Sequence, residues 1–123
     1  MARPRATPMP FRRAAMPHDP HLAELMREAL RGRSGVSEKK MFGGYCWMLN
    51  GNMVCGVEVG RFMFRPGKAQ EAQALARPGA SPMDITGRPM AGFVWVDADA
   101  ALDAGLADWF DFCARFAGSL PPK

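Results

Sequence analysis

The chain has 123 residues, the length of one domain, and 48% of them are hydrophobic, as in an ordinary globular protein. No apolar run approaches the roughly 20 residues that a membrane-spanning helix needs, and Arg12-Arg13 is not followed by the apolar stretch of a secretory signal. These features argue against a membrane protein and predict a cytoplasmic protein with no membrane partner.

The net charge of +4 comes from the start of the chain. Residues 1–15 contain four arginines and no acid, and the remaining acidic and basic residues balance. Because this Pro-rich stretch has little apolar surface to bury, we predict a disordered basic tail over residues 1–18 and one folded domain over residues 19–123. The tail is either a solvated extension or a nucleic-acid-binding arm. A third interpretation places the true start of the protein at Met16.

A first helix is predicted from Asp19-Pro20 onward, since Asp is a good N-cap and Pro is tolerated at the first helical position. Gly32 ends this helix, and Ser34-Gly35 turns the chain toward the strands. The apolar residues of the helix recur at the spacing of one face: Leu22, Leu25, Met26, Ala29 and Leu30.

Three antiparallel strands are predicted next, joined by tight turns. Asn50-Gly51 between apolar runs indicates a type I′ turn, which needs positive φ at both central residues, and Gly60 makes the second turn. The paired glycines of the stretch 41–44 predict a bulge or a close backbone approach in the strand region. The predicted strands cover residues 45–49, 53–59 and 61–65.

The second half of the chain predicts a helix over residues 68–76, strands over 83–86 and 91–96, a connector over 97–101 and a final helix over 103–119. On that last helix, Asp111 and Arg115 have the spacing of an i,i+4 ion pair. The order is therefore α-β-β-β-α-β-β-α. It predicts a two-layer α+β domain with an antiparallel sheet and helices on one face.

The three cysteines argue against a disulfide framework, because their number is odd. A two-residue turn at Asn50-Gly51 predicts that Cys46 and Cys55 lie directly opposite each other on adjacent strands. Such a pair is either a site for a redox bridge or half of a metal site, or it is two small buried hydrophobes. Cys113 falls on the apolar stripe of the final helix and is predicted to be buried.

Short motifs stand in a specific order along the chain. They are Lys40-Met41-Phe42-Gly43-Gly44, Asn50-Gly51-Asn52-Met53, Pro82-Met83-Asp84, Thr86-Gly87-Arg88-Pro89-Met90, Gly92-Phe93-Val94-Trp95-Val96 and Ser119-Leu120-Pro121-Pro122-Lys123. In this combination they resemble the TfoX/Sxy N-terminal domain family, and the resemblance covers about residues 20–123. It implies an α+β fold of the secretion-chaperone-like kind.

The resemblance also implies a context for function. The named members of the family are bacterial regulators of natural competence, thought to act with the cyclic-AMP receptor protein. They carry a second, C-terminal helical domain, so this chain resembles the standalone version of the N-terminal domain. The family has no established catalytic residue, and the resemblance implies none here.

The residues themselves offer little catalytic chemistry. The two histidines, His18 and His21, lie at the edge of the tail and have no further metal ligands at usable spacing. No Gly-rich stretch has the strand-to-helix context and the Lys of a phosphate-binding loop. We therefore predict a protein that is not an enzyme, with no catalytic residue, no cofactor and no metal.

Two features of the sheet region suggest interaction surfaces. Methionines are frequent there and form either a Met-rich core or an adaptable binding patch. The basic side chains of the region either share one end of the sheet, where they would meet an acidic partner or a phosphate backbone, or are scattered and solvated. The methionines are Met41, Met48, Met53, Met63, Met83 and Met90, and the basic residues are Lys39, Lys40, Arg61, Arg65 and Arg88. The candidate interaction residues are Lys39, Lys40, Met41, Phe42, Gly43, Gly44 and Arg88.

We therefore expect a small bacterial regulatory module that contacts a protein partner, with a homodimer as one form of that contact. The alternative is a nucleic-acid-binding accessory protein that uses the basic tail and Lys39-Lys40. A small-molecule enzyme is a third class, and it would require a pocket that holds ionisable groups with shifted pKa values.

Overall fold

The computed structural model describes residues 20–41, 44–85 and 87–123. The tail predicted over residues 1–18 lies outside the described residues, as do the candidate residues Phe42 and Gly43. In the described parts of the chain, the helices are too short or too polar to cross a membrane.

Six strands form one antiparallel sheet in the order β1-β2-β3-β4-β6-β5. The helices pack on one face of this sheet, which confirms the predicted two-layer α+β fold. The elements are α1 (Pro20–Ala29), β1 (Val36–Met41), β2 (Gly44–Leu49), β3 (Asn52–Glu58), β4 (Arg61–Phe64), a 3-10 turn (Lys68–Gln70), α2 (Glu71–Leu75), β5 (Ala80–Ile85), β6 (Arg88–Asp97), α3 (Ala98–Ala104) and α4 (Leu106–Ala117).

Two details differ from the predicted order. Strand β1 is an additional edge strand whose charged sequence, Val-Ser-Glu-Lys-Lys-Met, hides the alternation that a half-buried strand would show. The predicted final helix is two helices, because Gly105 adopts φ 101° and breaks the helical path between α3 and α4. Most of the predicted connector over residues 97–101 therefore belongs to α3.

The β2–β3 hairpin confirms the predicted type I′ turn, with φ 52° at Asn50 and 85° at Gly51. The C-terminal residues lie against this turn. The Lys123 amide donates to the Asn50 carbonyl at 2.9 Å. The side-chain amide of Asn52, which is 2% exposed, donates to the Pro121 carbonyl at 3.0 Å. The hairpin turn and the chain terminus therefore support each other.

The predicted pairing of Cys46 with Cys55 is wrong. The register runs Cys46↔Gly56 and Trp47↔Cys55, then shifts to Met48↔Met53. Val54 is the extra residue of a β-bulge on β3. Because side chains alternate along a strand, this insertion places Cys55 in the helix-side core and Cys46 on the opposite face.

The helix-side core is centred on Trp109 of α4, which is fully buried. Its ring stacks on Phe64 of β4 with centroids 4.7 Å apart, and Phe112 meets it edge-on. The Arg77 guanidinium lies over the rings of Trp109 and Phe112, 4.6 and 4.2 Å from their centroids. Asp111, on the outer side of α4, forms an ion pair with Arg33.

A bidentate ion pair ties α1 to the edge strand β1. Arg27 Nε and Nη2 donate to the two carboxylate oxygens of Glu38 at 2.7 and 2.8 Å. The hydrogen bonds from Arg27, with help from its charge and from the Trp47 side chain, lower the pKa of Glu38 below its ordinary value. The pair connects the helical layer to a strand that has a neighbour on one side only.

Replacing Glu38 by Gln is expected to reduce the free energy of unfolding by up to about 1 kcal/mol near neutral pH, because the pair is partly exposed. A carboxyl group whose pKa is lowered by folding stabilises the protein above its unfolded pKa and loses this effect as pH falls through the folded value. The difference between wild type and variant should therefore shrink as pH drops below about 4.5, the ordinary pKa of Glu38. Urea unfolding curves of both proteins at pH 7 and pH 3 measure this difference. A difference that is as large at pH 3 as at pH 7 would contradict a stabilising role of the Arg27–Glu38 ion pair.

Candidate functional site

The strands bury apolar side chains on both faces of the sheet. On β4 and β6, Phe62, Phe64, Val94 and Val96 point to the helices, and Met63, Phe93 and Trp95 alternate with them and form a second cluster. We call this second side the open face, since the buried side chains of the described helices all belong to the other cluster. Its apolar residues are Cys46, Met48, Met53, Met63, Met83, Met90, Phe93 and Trp95.

A groove of about 560 Å³ runs across the open face. Its walls are mainly methionine and aromatic side chains, and Gly56 of β3 lies on its floor. A β-carbon at Gly56 would lie only 3.1 Å from Cys46 Sγ and 3.2 Å from Met63 Cε, so the absence of a side chain there keeps the groove deep. This volume lies within the usual range of ligand pockets, about 300–1,000 Å³.

The methionines of the sheet region fit neither predicted alternative completely. Met48, Met63 and Met83 are at most 9% exposed, but they pack with each other on the open face and not in the helix-side core. Met53 and Met90 are half-buried at the edge of the same cluster. The result is a compact thioether surface separated from the main core by the sheet. The side chain of Met41 lies outside the described residues.

Charged groups lie at the rim of the groove. Arg61 lies over the Trp95 ring, 3.6 Å from its centroid, and its Nε donates to Glu58 at 2.8 Å. Asp84 of β5 is exposed and also lines the groove. Lys39 of the edge strand is directly opposite Cys46 in the register, and directly opposite residues of an antiparallel pair share a face. The rim therefore mixes both signs of charge around an apolar centre.

The structure separates the residues predicted as an interaction site. Lys39 and Lys40 are exposed on β1, and Gly44 begins β2 at the end of the groove. Arg88 lies at the start of β6, four strands away from the edge strand β1 that carries the two lysines.

The predicted basic cluster is also divided. Arg61 begins β4 and Arg65 follows its last residue, where it contacts the rings of Phe93 and Phe116. No single end of the sheet therefore collects the five basic residues.

Sequence reasoning missed Phe93 and Trp95 of the groove, whereas it named Met63 among the methionines of a possible binding patch and Cys46 as a possible partner of Cys55. A signal for the two aromatic residues was present. The segments Phe62–Phe64 and Phe93–Val96 are apolar at every position, which is typical of strands buried on both faces. When the predicted helices can cover only one face of such strands, the apolar residues on the second face indicate a second contact surface.

The thiols of the domain are poorly suited to nucleophilic chemistry. Burial raises the pKa of Cys46 to about 11 and that of Cys113 to about 12, and it raises the pKa of Cys55 as well. At neutral pH the Cys46 thiol at the groove is therefore protonated. Within residues 20–41, 44–85 and 87–123, no group of three or more His, Cys, Asp or Glu residues is arranged to hold a metal ion. What the groove offers is apolar contact.

Comparison with known proteins identifies one family. A family model described as the TfoX N-terminal domain matches residues 28–117. The match runs from the last two residues of α1 to the end of α4 and so includes every strand of the sheet and the whole groove. Neither a curated protein nor a solved structure gives a match.

Proposed function

The chain belongs to the TfoX N-terminal domain family, and from this premise we propose that it is a non-enzymatic, cytoplasmic regulatory module that binds a protein partner through the open face. The observation that carries the proposal is the second apolar cluster on that face. An apolar groove rimmed by polar groups is typical of a binding site. The family resemblance adds that the named members are bacterial regulators.

The composition of the groove supports an adaptable contact. Methionine side chains are flexible and polarisable, and they repack around partners of different shape. Phe93 and Trp95 add rigid aromatic area, and aromatic residues are enriched at the centres of protein interfaces. The few charged groups at the rim, Glu58, Arg61 and Asp84, nearly balance, so apolar burial would supply most of the binding free energy.

The test places charge in the groove without filling the core. Met53 and Met90 are half-buried and line the groove, so a variant with Met53→Glu and Met90→Glu keeps both new carboxylates near water. We expect chemical cross-linking in native cells, followed by mass spectrometry, to lose its specific partner in this variant. The partner signal should fall at least about tenfold, since two apolar anchors are lost.

Leu102→Glu is the matched control, because Leu102 is an exposed apolar residue outside the groove, on α3. It should leave the partner signal unchanged. Equal partner capture by the groove variant and by wild type would contradict the proposal. If the cross-linked partner is a second copy of this chain, sedimentation should show a dimer that the groove variant cannot form.

Nucleic-acid binding is the second candidate, favoured by two consecutive exposed lysines, Lys39 and Lys40, on an edge strand. It predicts an affinity that falls steeply with salt and is lost when both lysines become Ser. Apolar contact predicts instead that capture survives at high salt and in the Lys39→Ser, Lys40→Ser variant. The two readouts together distinguish the two functions.

A further inference from the structure

One end of the groove lies at the end of the sheet near which the described chain begins. Glu58 and Arg61, which line the groove, flank the two-residue turn between β3 and β4. His21 and Leu22 of the first turn of α1 line a separate depression together with Gly60 of the β3–β4 turn. The residues that precede Pro20 therefore join the fold beside the mouth of the groove.

The residues before Pro20 include a short segment whose side chains could fill the groove. Residues 8–13 read Pro-Met-Pro-Phe-Arg-Arg, so two apolar side chains, Met9 and Phe11, are followed directly by two arginines. The composition of the stretch predicts no fold of its own, because it has too few apolar residues to form a core. A short apolar motif of this kind gains order only by burying its side chains against another surface.

The chain length is sufficient for this contact. Residues 14–19 separate the motif from α1, and six extended residues span about 20 Å. The distance between packed layers is about 10 Å, so this stretch can pass the β3–β4 turn and reach the other face of the sheet. Proline at two of the six motif positions favours an extended conformation, which suits a groove that runs across strands.

The order of charged and apolar residues in this segment matches the order of acidic and apolar residues along the path from α1 to the groove. Asp97 and Asp99 line the depression beside Gly60, and Glu58 lies at the adjoining end of the groove. A segment that leaves α1 meets Asp97, Asp99 and the Glu58–Arg61 ion pair first, and the methionine walls after them. Arg12 and Arg13 are the residues of the motif nearest to α1, and Met9 and Phe11 are further away.

We propose that residues 8–13 bind in the open-face groove of their own chain, with Met9 and Phe11 against the open-face methionines and Arg12-Arg13 beside Glu58. The segment is an intramolecular ligand that competes with any other occupant of the groove. Its effective concentration is in the millimolar range, so even a weak intrinsic affinity keeps it bound for much of the time. This contact does not depend on the proposed partner, and it is tested separately.

Cys46 provides the readout, because it lines the groove and the other two thiols lie in the helix-side core. Iodoacetamide alkylation of the full chain at pH 8.5, mapped by mass spectrometry, measures the access to Cys46. Replacing Met9 and Phe11 by Ser is expected to increase the alkylation rate of Cys46 about tenfold, since the segment loses both apolar anchors. Ala14→Ser with Ala15→Ser is the control and should leave the rate unchanged.

Cys55 and Cys113 are fully buried and should remain unmodified in every variant, which shows that the fold stays closed. In wild type, 1 M NaCl should also increase the Cys46 rate by weakening the arginine contacts, and in the double Ser variant it should change the rate little. Equal Cys46 rates in the double Ser variant and its control would overturn the proposal.

A second measurement locates the contact directly. With the photoreactive p-benzoyl-phenylalanine in place of Phe11 in the full chain, irradiation at low micromolar concentration should cross-link position 11 to peptides that contain Met53, Met63, Met83 or Met90 of the same chain. Cross-links to the helices, or only between two chains, would overturn docking within one chain. Loss of partner capture in the groove variant, with no effect of the tail variants on Cys46, would support the proposed function and reject this inference.

Discussion

Replacing Trp109 by Ala is expected to cost about 3–5 kcal/mol of the free energy of unfolding, the range for a large aromatic residue removed from a packed core. Trp109 is fully buried and stacks on Phe64, so its loss leaves a cavity between α4 and the sheet. Arg77 also loses the aromatic face over which it lies. Denaturant unfolding of purified wild type and variant measures the difference, and a loss below about 1 kcal/mol would show that this stack is not the centre of the core.

Trp109→Phe is the informative control. Among residues 20–41, 44–85 and 87–123, the buried indole nitrogen has no hydrogen-bond partner, so Phe removes an unsatisfied donor while keeping an aromatic ring. The unsatisfied donor costs about 1–3 kcal/mol in the native protein, and this offsets part of the lost packing. We therefore expect Trp109→Phe to be much less destabilising than Trp109→Ala. Similar losses in both variants would mean that the six-membered part of the ring contributes little.

Gly51→Val is expected to destabilise the domain by about 2–4 kcal/mol, because two penalties act together. Gly51 has φ 85°, a left-handed conformation that a β-branched residue adopts only with strain. A β-carbon there would also lie 2.8 Å from the carbonyl oxygen and from the β-carbon of Lys123. The C-terminal residues would have to move, and the hydrogen bond from the Lys123 amide to the Asn50 carbonyl would break. Thermal unfolding followed by circular dichroism measures the loss.

Gly60→Val separates the two penalties. Gly60 also has a positive φ, 77°, but a β-carbon there meets nothing within 4 Å. It should therefore show the backbone strain alone, about 1–2 kcal/mol. If Gly60→Val costs as much as Gly51→Val, the contact with the C-terminal residues adds nothing. If Gly51→Val and wild type have the same unfolding midpoint temperature, the type I′ assignment is wrong.

Local rules predicted much of the fold. Asn50-Gly51 identified the hairpin because the turn chemistry is set by two residues, and the apolar stripe of α1 identified its buried face. Strand β1 was missed because its position depends on pairing with β2 and not on its own composition. The β-bulge was missed for a related reason, since the identity of Val54 carries no sign that it is an extra residue.

The candidate site was less predictable than the fold. The prediction concentrated on Lys39, Lys40 and the stretch 41–44, where glycines and charges are unusual in the sequence. The groove instead collects side chains from five strands, and their proximity follows from the strand order β2-β3-β4-β6-β5. No short-range pattern encodes that order. Two signals were available: the frequent methionines of the sheet region, and the consecutive apolar positions of β4 and β6.

The bulge at Val54 also determines what oxidants can do to this domain. It directs the side chains of Cys46 and Cys55 to opposite sides of the sheet, and thiols whose β-carbon bonds diverge cannot join without backbone movement. A disulfide reagent that reaches Cys46 through the groove therefore cannot go on to form an internal bridge to Cys55. Because of this single inserted residue, a disulfide at Cys46 joins it to another molecule and not to Cys55.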